Sequence, residues 1–110
     1  MNQGDIYWYT FKTPDKRRPV LVLTRSSAIP VLTTVTVAPI TRTIRGIPSE
    51  VLLNPEDGVR DTCAVNADNI QTVPKMNLDT FVAHLSKDRM REVWAAIAFA
   101  LGFDALAEDV

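Results

Sequence analysis

The sequence predicts an α+β fold that is mainly β: a small twisted barrel with helices packed on one side. Three observations carry this. Short runs rich in β-branched and aromatic residues recur from residue 5 to 73, punctuated by Pro, Gly, Asn and Asp. The last third switches to a helical period. The chain has 110 residues, 46% of them hydrophobic, which fits one domain over 1–110 with a real core and leaves little room for a second.

The elements follow in order. Residues 5–11 (DIYWYTF) are aromatic and apolar and read as a first strand. Residues 12–17 (KTPDKR) form a basic loop broken by Pro14 and Asp15. Residues 19–24 (PVLVLT) are continuously apolar, as in a strand buried on both faces, with Pro19 restricted to its first position or to an edge. Residues 31–38 (VLTTVTVA) give the densest β-branched run, and Pro39 should end its pairing. A polar, basic stretch over 41–48 turns at Gly46. Short strands are expected at 49–53, 61–66 and 70–73, with a turn cluster at 54–58 and a tight turn or bulge at 67–69. Asn77 is placed to cap a short helix through Phe81, which would put His84 in a helical region as a packed imidazole. Ser86 caps a longer helix, with Asp88 near its positive end and Met90, Val93, Trp94, Ile97 and Leu101 on one stripe. Gly102 is its natural stop.

Composition excludes several classes. A single Cys63 allows no internal disulfide and no cysteine-rich zinc site, and it reads as a small buried hydrophobe. No run is apolar for a membrane-spanning length, and the first residues lack the basic and apolar regions of a secretory signal, so a cytoplasmic location is expected. Metal ligands at usable spacing and a glycine-rich phosphate loop are both absent, so no cofactor is expected. The net charge of −1 hides an asymmetry. Residues 1–45 carry seven basic and two acidic side chains, whereas 46–110 carry five and eleven. A field of that kind draws an anion to the first half.

Three segments in order, Gly4-Asp5-Ile6-Tyr7-Trp8, Arg18-Pro19-Val20-Leu21-Val22-Leu23-Thr24 and Val37-Ala38-Pro39-Ile40-Thr41, resemble the MazF/PemK (Kid-like) family of toxin endoribonucleases from bacterial toxin–antitoxin pairs. Residues 65–73 (VNADNIQTV) are similar to that family's later strands, especially in its actinobacterial branch. The resemblance implies an SH3-like barrel with a terminal helix, a homodimer, and metal-independent cleavage of single-stranded RNA. It also implies a cognate antitoxin whose acidic, partly disordered tail fills the RNA groove, a tail suited to the basic first half.

Cleavage without a metal requires the RNA's 2′-hydroxyl to attack the adjacent phosphate, giving a cyclic phosphate and a 5′-hydroxyl. The protein must align the attack, neutralise the phosphorane and move two protons. By resemblance, Arg18 matches the family's Arg-Pro arginine; its fork fits phosphate oxygens, and it stays charged. Thr41 matches the family's active-site threonine as a hydroxyl donor. Asp68 matches an acid that some relatives use as the base on the 2′-hydroxyl. Those relatives often carry a basic residue two positions earlier, where this chain has Asn66. Asn66 and Asn69 are therefore candidate readers of a base edge. Lys16, Arg17, Arg25, Arg42 and Arg45 are candidate phosphate contacts. The loop before Arg18 reads TPDKR in place of the family's longer Glu-Gln-Gly-type run, a difference that bears on substrate preference. Trp8 and Phe11 are read as core, with base stacking as the alternative. Met90, Trp94 and Phe103 are candidates for a dimer face.

Two other functions stay open at this point. A gyrase poison of the CcdB type shares the barrel and needs neither Arg18 nor Thr41, and a barrel that binds RNA without cutting it fits the changed loop and Asn66.

Overall fold

Every strand pair among the described residues is antiparallel, as short connections dictate. The computed structural model describes residues 1–12 and 17–108, with side chains through residue 105. Its strands are β1 (Asp5–Thr10), β2 (Arg17–Val22), β3 (Thr34–Thr41), β4 (Glu50–Leu53), β5 (Cys63–Asn66), β6 (Gln71–Pro74) and β7 (Phe81–His84). Two helices follow, α1 (Lys87–Ala100) and α2 (Phe103–Glu108). The strands lie in the order β4-β5-β3-β2-β1-β7, and β6 adds to β3. The sheet curls into a half-barrel. The segment after β4 closes on β7 so tightly that a Cβ on Gly58 would lie 2.9 Å from the Ala83 Cβ, and Gly58 sits at φ +94°.

Apolar residues fill both faces of this sheet. On one face Ile6, Leu21, Leu53 and Val65 pack with Val93 and Ala96 of α1. On the other, Val20, Val22, Val35, Val37 and Val73 are covered by Ile29 and Leu78. Consecutive residues of β2 thus enter different cores, which is why its sequence is apolar without alternation.

Several expectations are corrected. Residues 29–31 form a 3₁₀ turn, and the strand starts at Thr34 and runs through Pro39, which pairs with Val20. Pro39 is tolerated because its missing N–H faces the stretch between β6, paired up to Val37, and β5, paired from Ile40. Pro19 likewise stands third in β2, one residue before pairing with β3 begins. No helix runs from Asn77 to Phe81: residues 75–77 are a 3₁₀ turn and Phe81–His84 is β7, recruited by the open side of β1. His84 therefore lies on a strand, with Nδ1 2.7 Å from Oδ1 of the buried Asp5. On α1, Val93 and Ala96 are buried and Met90, Ile97 and Ala100 pack beside them, whereas Trp94 points outward at 74% exposure. Ser86 caps α1 as expected by accepting from the Arg89 N–H, and Gly102 follows it at φ +77°.

Helix α1 is tied to the rest through Arg89, whose Nε lies 3.0 Å from Oδ1 of Asp57. Burial pushes the Asp57 carboxyl up, but the Arg89 hydrogen bond, the Asn54 N–H and the Arg89 charge outweigh it and hold the group below the usual carboxylate range. A depressed carboxyl stabilises the fold at neutral pH, and that contribution is lost as pH falls through its folded value. Melting temperature should therefore drop more steeply below pH 4 in the wild type than in Arg89→Leu, which itself should cost about 1–3 kcal/mol at neutral pH. Parallel acid limbs in thermal melts of the two proteins would refute this.

Candidate active site

The site arises where β3 changes partners. On one edge it pairs with β6 over Thr34–Val37 and then with β5 over Ile40–Thr41, while on the other its pairing with β2 ends at Pro39, so the sheet forks there. Continuing the β2–β3 register past Val20↔Pro39 sets Arg18 opposite Thr41 on the two sides of that fork. Both residues line a cavity of about 680 Å³, together with Arg45, Asn66, Asp68 and Asn69. Thus three expected catalytic residues and three expected binding residues converge, and Phe11, Pro39, Thr43, Glu50, Ile70 and Gln71 complete the lining.

Arg18 is half-buried and has no carboxylate partner among the described residues, so its guanidinium is available to an anion. The Thr41 hydroxyl accepts from the Thr43 N–H at 3.1 Å. An acceptor role of that kind fixes the oxygen and leaves the O–H free to donate. Asp68 sits in a 3₁₀ turn, Ala67–Asn69, shaped by its own backbone N–H donating to Asn66 Oδ1 at 3.0 Å. Asn66 therefore spends its carbonyl on the turn and keeps its amide N–H groups for a ligand. Asp68 Oδ2 accepts from the buried Ser49 hydroxyl at 2.6 Å, and the Ala67 N–H donates to the Ser49 carbonyl at 2.9 Å. Ser49 thus clamps the turn at two points.

The remaining predicted contacts separate. Arg45 stands in the loop that walls the cavity, and Glu50 Oε1 holds that loop by accepting from the Arg45 and Gly46 N–H groups, both at 2.9 Å. Arg42 and Arg17 line a second cavity, of about 690 Å³, which shares Arg18, Thr41 and Thr43 with the first. Arg25 does not belong with them. It follows the far end of β2, roughly 20 Å of strand away from Arg18, so membership of the basic half did not fix which end of the sheet it occupies. Lys16 lies outside the described residues. Phe11 packs on Tyr9 and also lines the first cavity, and Trp8 lines the second, so neither is purely core. Cys63 is buried as expected, and burial, with Asp57 and Asp61 nearby, raises its thiol pKa, which keeps it protonated.

Two residues were missed in the sequence, Ser49 and Glu50. The available signal was their position at the head of a strand directly after a basic loop containing glycine, where a hydroxyl and a carboxylate can face opposite sides of the pleat.

Among the described residues no helix is long and apolar enough to cross a membrane. Comparison with known proteins agrees with the geometry. A family model described as PemK-like, MazF-like toxin of type II toxin–antitoxin system matches residues 2–101. Endoribonuclease MazF3 of Mycobacterium tuberculosis is 41% identical over 90 residues, covering 82% of this chain and 87% of the relative. Probable endoribonuclease MazF5 of the same organism is 39% identical over 100 residues, covering 90% and 91%. The solved Mycobacterium tuberculosis toxin MazF-mt6 superposes with a TM-score of 0.82 at 38% identity, over 89% of this chain and 96% of that one. A mycobacterial endoribonuclease solved in complex with its cognate antitoxin superposes at 0.84 with 28% identity, over 93% and 95%. With its forked sheet, its terminal helix and a family match over nearly its whole length, the chain belongs to the PemK-like, MazF-like toxins of type II toxin–antitoxin systems.

Proposed function

We propose that this protein cuts single-stranded RNA internally, without a metal ion, through attack of the RNA's own 2′-hydroxyl on the adjacent phosphate, and so stops translation and growth. The reading rests on one observation above all: Arg18, Thr41 and Asp68 line the same cavity. Arg18 presents paired N–H donors to two phosphate oxygens and offsets the charge of the phosphorane. Thr41 hydrogen-bonds through its hydroxyl to another of those oxygens, and an Arg18 N–H hydrogen-bonds the leaving 5′-oxygen, which takes its proton from solvent water. Asp68, held by Ser49 through Oδ2, has Oδ1 without a partner among the described residues, and this oxygen takes the 2′-hydroxyl proton. Arg45 contacts a flanking phosphate, and Asn66 and Asn69 read a base through amide groups. A poison that acts on a topoisomerase has no use for this convergence.

An antitoxin with an acidic, partly disordered tail covers Arg18 and Arg45 at this cavity, and a mycobacterial neighbour has been solved in complex with its cognate antitoxin. Residues 1–110 form one such toxin domain, acting in the cytoplasm as a homodimer. Trp94 and Phe103, both more than half exposed, suit the dimer face, whereas Met90 packs on its own core.

Purified protein incubated with a long RNA in EDTA should give fragments with 2′,3′-cyclic phosphate and 5′-hydroxyl ends. Cutting that required magnesium, or 3′-hydroxyl ends, would overturn the mechanism. Sedimentation at micromolar concentration should return twice the chain mass.

A further inference from the structure

We propose that the second cavity holds the next unpaired nucleotide of the same RNA strand, its base stacked on a platform made by Trp8 and Arg17. This rests on the RNA-cleaving reading and extends it from the scissile phosphate to a neighbour. Arg18, Thr41 and Thr43 line both cavities, so a phosphate seated on Arg18 and Thr41 sits on the ridge between them. The nucleotides on either side of that phosphate then fall into different cavities.

The two cavities have different chemistry. The first is lined mainly by amides and carboxylates, Asn66, Asn69, Gln71, Asp68 and Glu50, with Arg45 beside them. The second has an apolar floor of Ile40, Val59, Cys63 and Val82 under a rim carrying Arg17, Arg42 and Arg60. Asp61 is the one acid in that lining. Its contact with Arg42 is 4.0 Å long between side chains that are both more than half exposed, too weak to neutralise the rim. An apolar floor beneath a cationic rim fits a nucleobase with its phosphate outside. The Arg17 Cζ lies 4.6 Å from the Trp8 ring centroid, and Asp79 Oδ1 holds Nη2 at 3.0 Å. A guanidinium fixed over an indole is flat and already ordered, and bases stack on guanidinium as on aromatic planes. Stacking tolerates every base, so this subsite adds affinity with little sequence selection, whereas the amide-lined cavity does the reading.

Trp8 and Trp94 are the only tryptophans. Trp94→Phe therefore leaves intrinsic emission that reports Trp8 alone. The probe is a single-stranded RNA spanning a mapped cut site, with a 2′-deoxy nucleotide there to block cleavage, and an abasic residue walked along it. Intact probe should change Trp8 emission, and an abasic residue at one nucleotide flanking the cut should abolish the change while weakening binding about tenfold. In the cleavage assay Trp8→Leu and Arg17→Ala should raise KM about tenfold each and leave kcat within about threefold. Arg17 is exposed, so its variant keeps the test valid if Trp8→Leu fails to fold. Cleavage with unchanged Trp8 emission on probe binding, or unchanged KM in Arg17→Ala, overturns this inference alone. No cleavage of any RNA overturns it together with the reading on which it rests.

Discussion

Arg18→Ala is expected to lower kcat for RNA cleavage by about 10²- to 10³-fold, the usual cost of removing one preorganised charge or donor from a developing oxyanion. Melting temperature should stay within a few degrees, because the guanidinium is half-buried at a cavity wall and supports no ion pair among the described residues. Arg18→Lys separates charge from geometry. A lysine keeps the positive charge but loses the planar fork, so it should recover only a small part of the loss. Single-turnover rates with saturating protein isolate this step from binding. If Arg18→Ala kept more than a tenth of the wild-type rate, phosphorane stabilisation at Arg18 would be wrong. Arg17→Ala is the internal contrast. Arg17 already pairs with Asp79 and covers Trp8, so its removal should act on KM.

Asp68→Asn should be nearly as damaging, lowering kcat by about 10²-fold or more, since general bases typically contribute 10²- to 10⁴-fold. The amide is close in size to the carboxylate and its carbonyl can still accept from Ser49, so the turn should persist and the loss should report proton transfer. The cavity holds a second carboxylate, Glu50, but its Oε1 is occupied by the Arg45 and Gly46 N–H groups. Glu50→Gln should therefore slacken the loop and cost less, mainly in KM. Near-wild-type cleavage by Asp68→Asn, with strong loss in Glu50→Gln, would transfer the base to Glu50.

Much of this was legible in the sequence because local chemistry and tertiary context agreed. The unbroken apolar run of β2 announced burial on both faces, and Val20 and Leu21 do enter separate cores. The Ser86 cap and the Gly102 stop announced the limits of α1. Arg18, Thr41 and Asp68 were named from family likeness, and the register that juxtaposes the first two is visible only once β2 and β3 are paired. The misreadings have physical causes. Asn77 is a fair helix cap, but Phe81–His84 gains more by pairing with β1 than four residues gain as an isolated helical turn. Trp94 satisfied the helical spacing, yet the neighbouring Ala96 is small enough for the close approach of α1. The position of Arg25 depended on strand direction, which composition does not encode.

Ser49 and Glu50 are adjacent in the chain yet reach opposite ways, one grasping the acidic turn and the other the basic loop. Acid and cation therefore share a single hinge point. A change that displaces the start of β4 should loosen the acidic turn and the basic loop together.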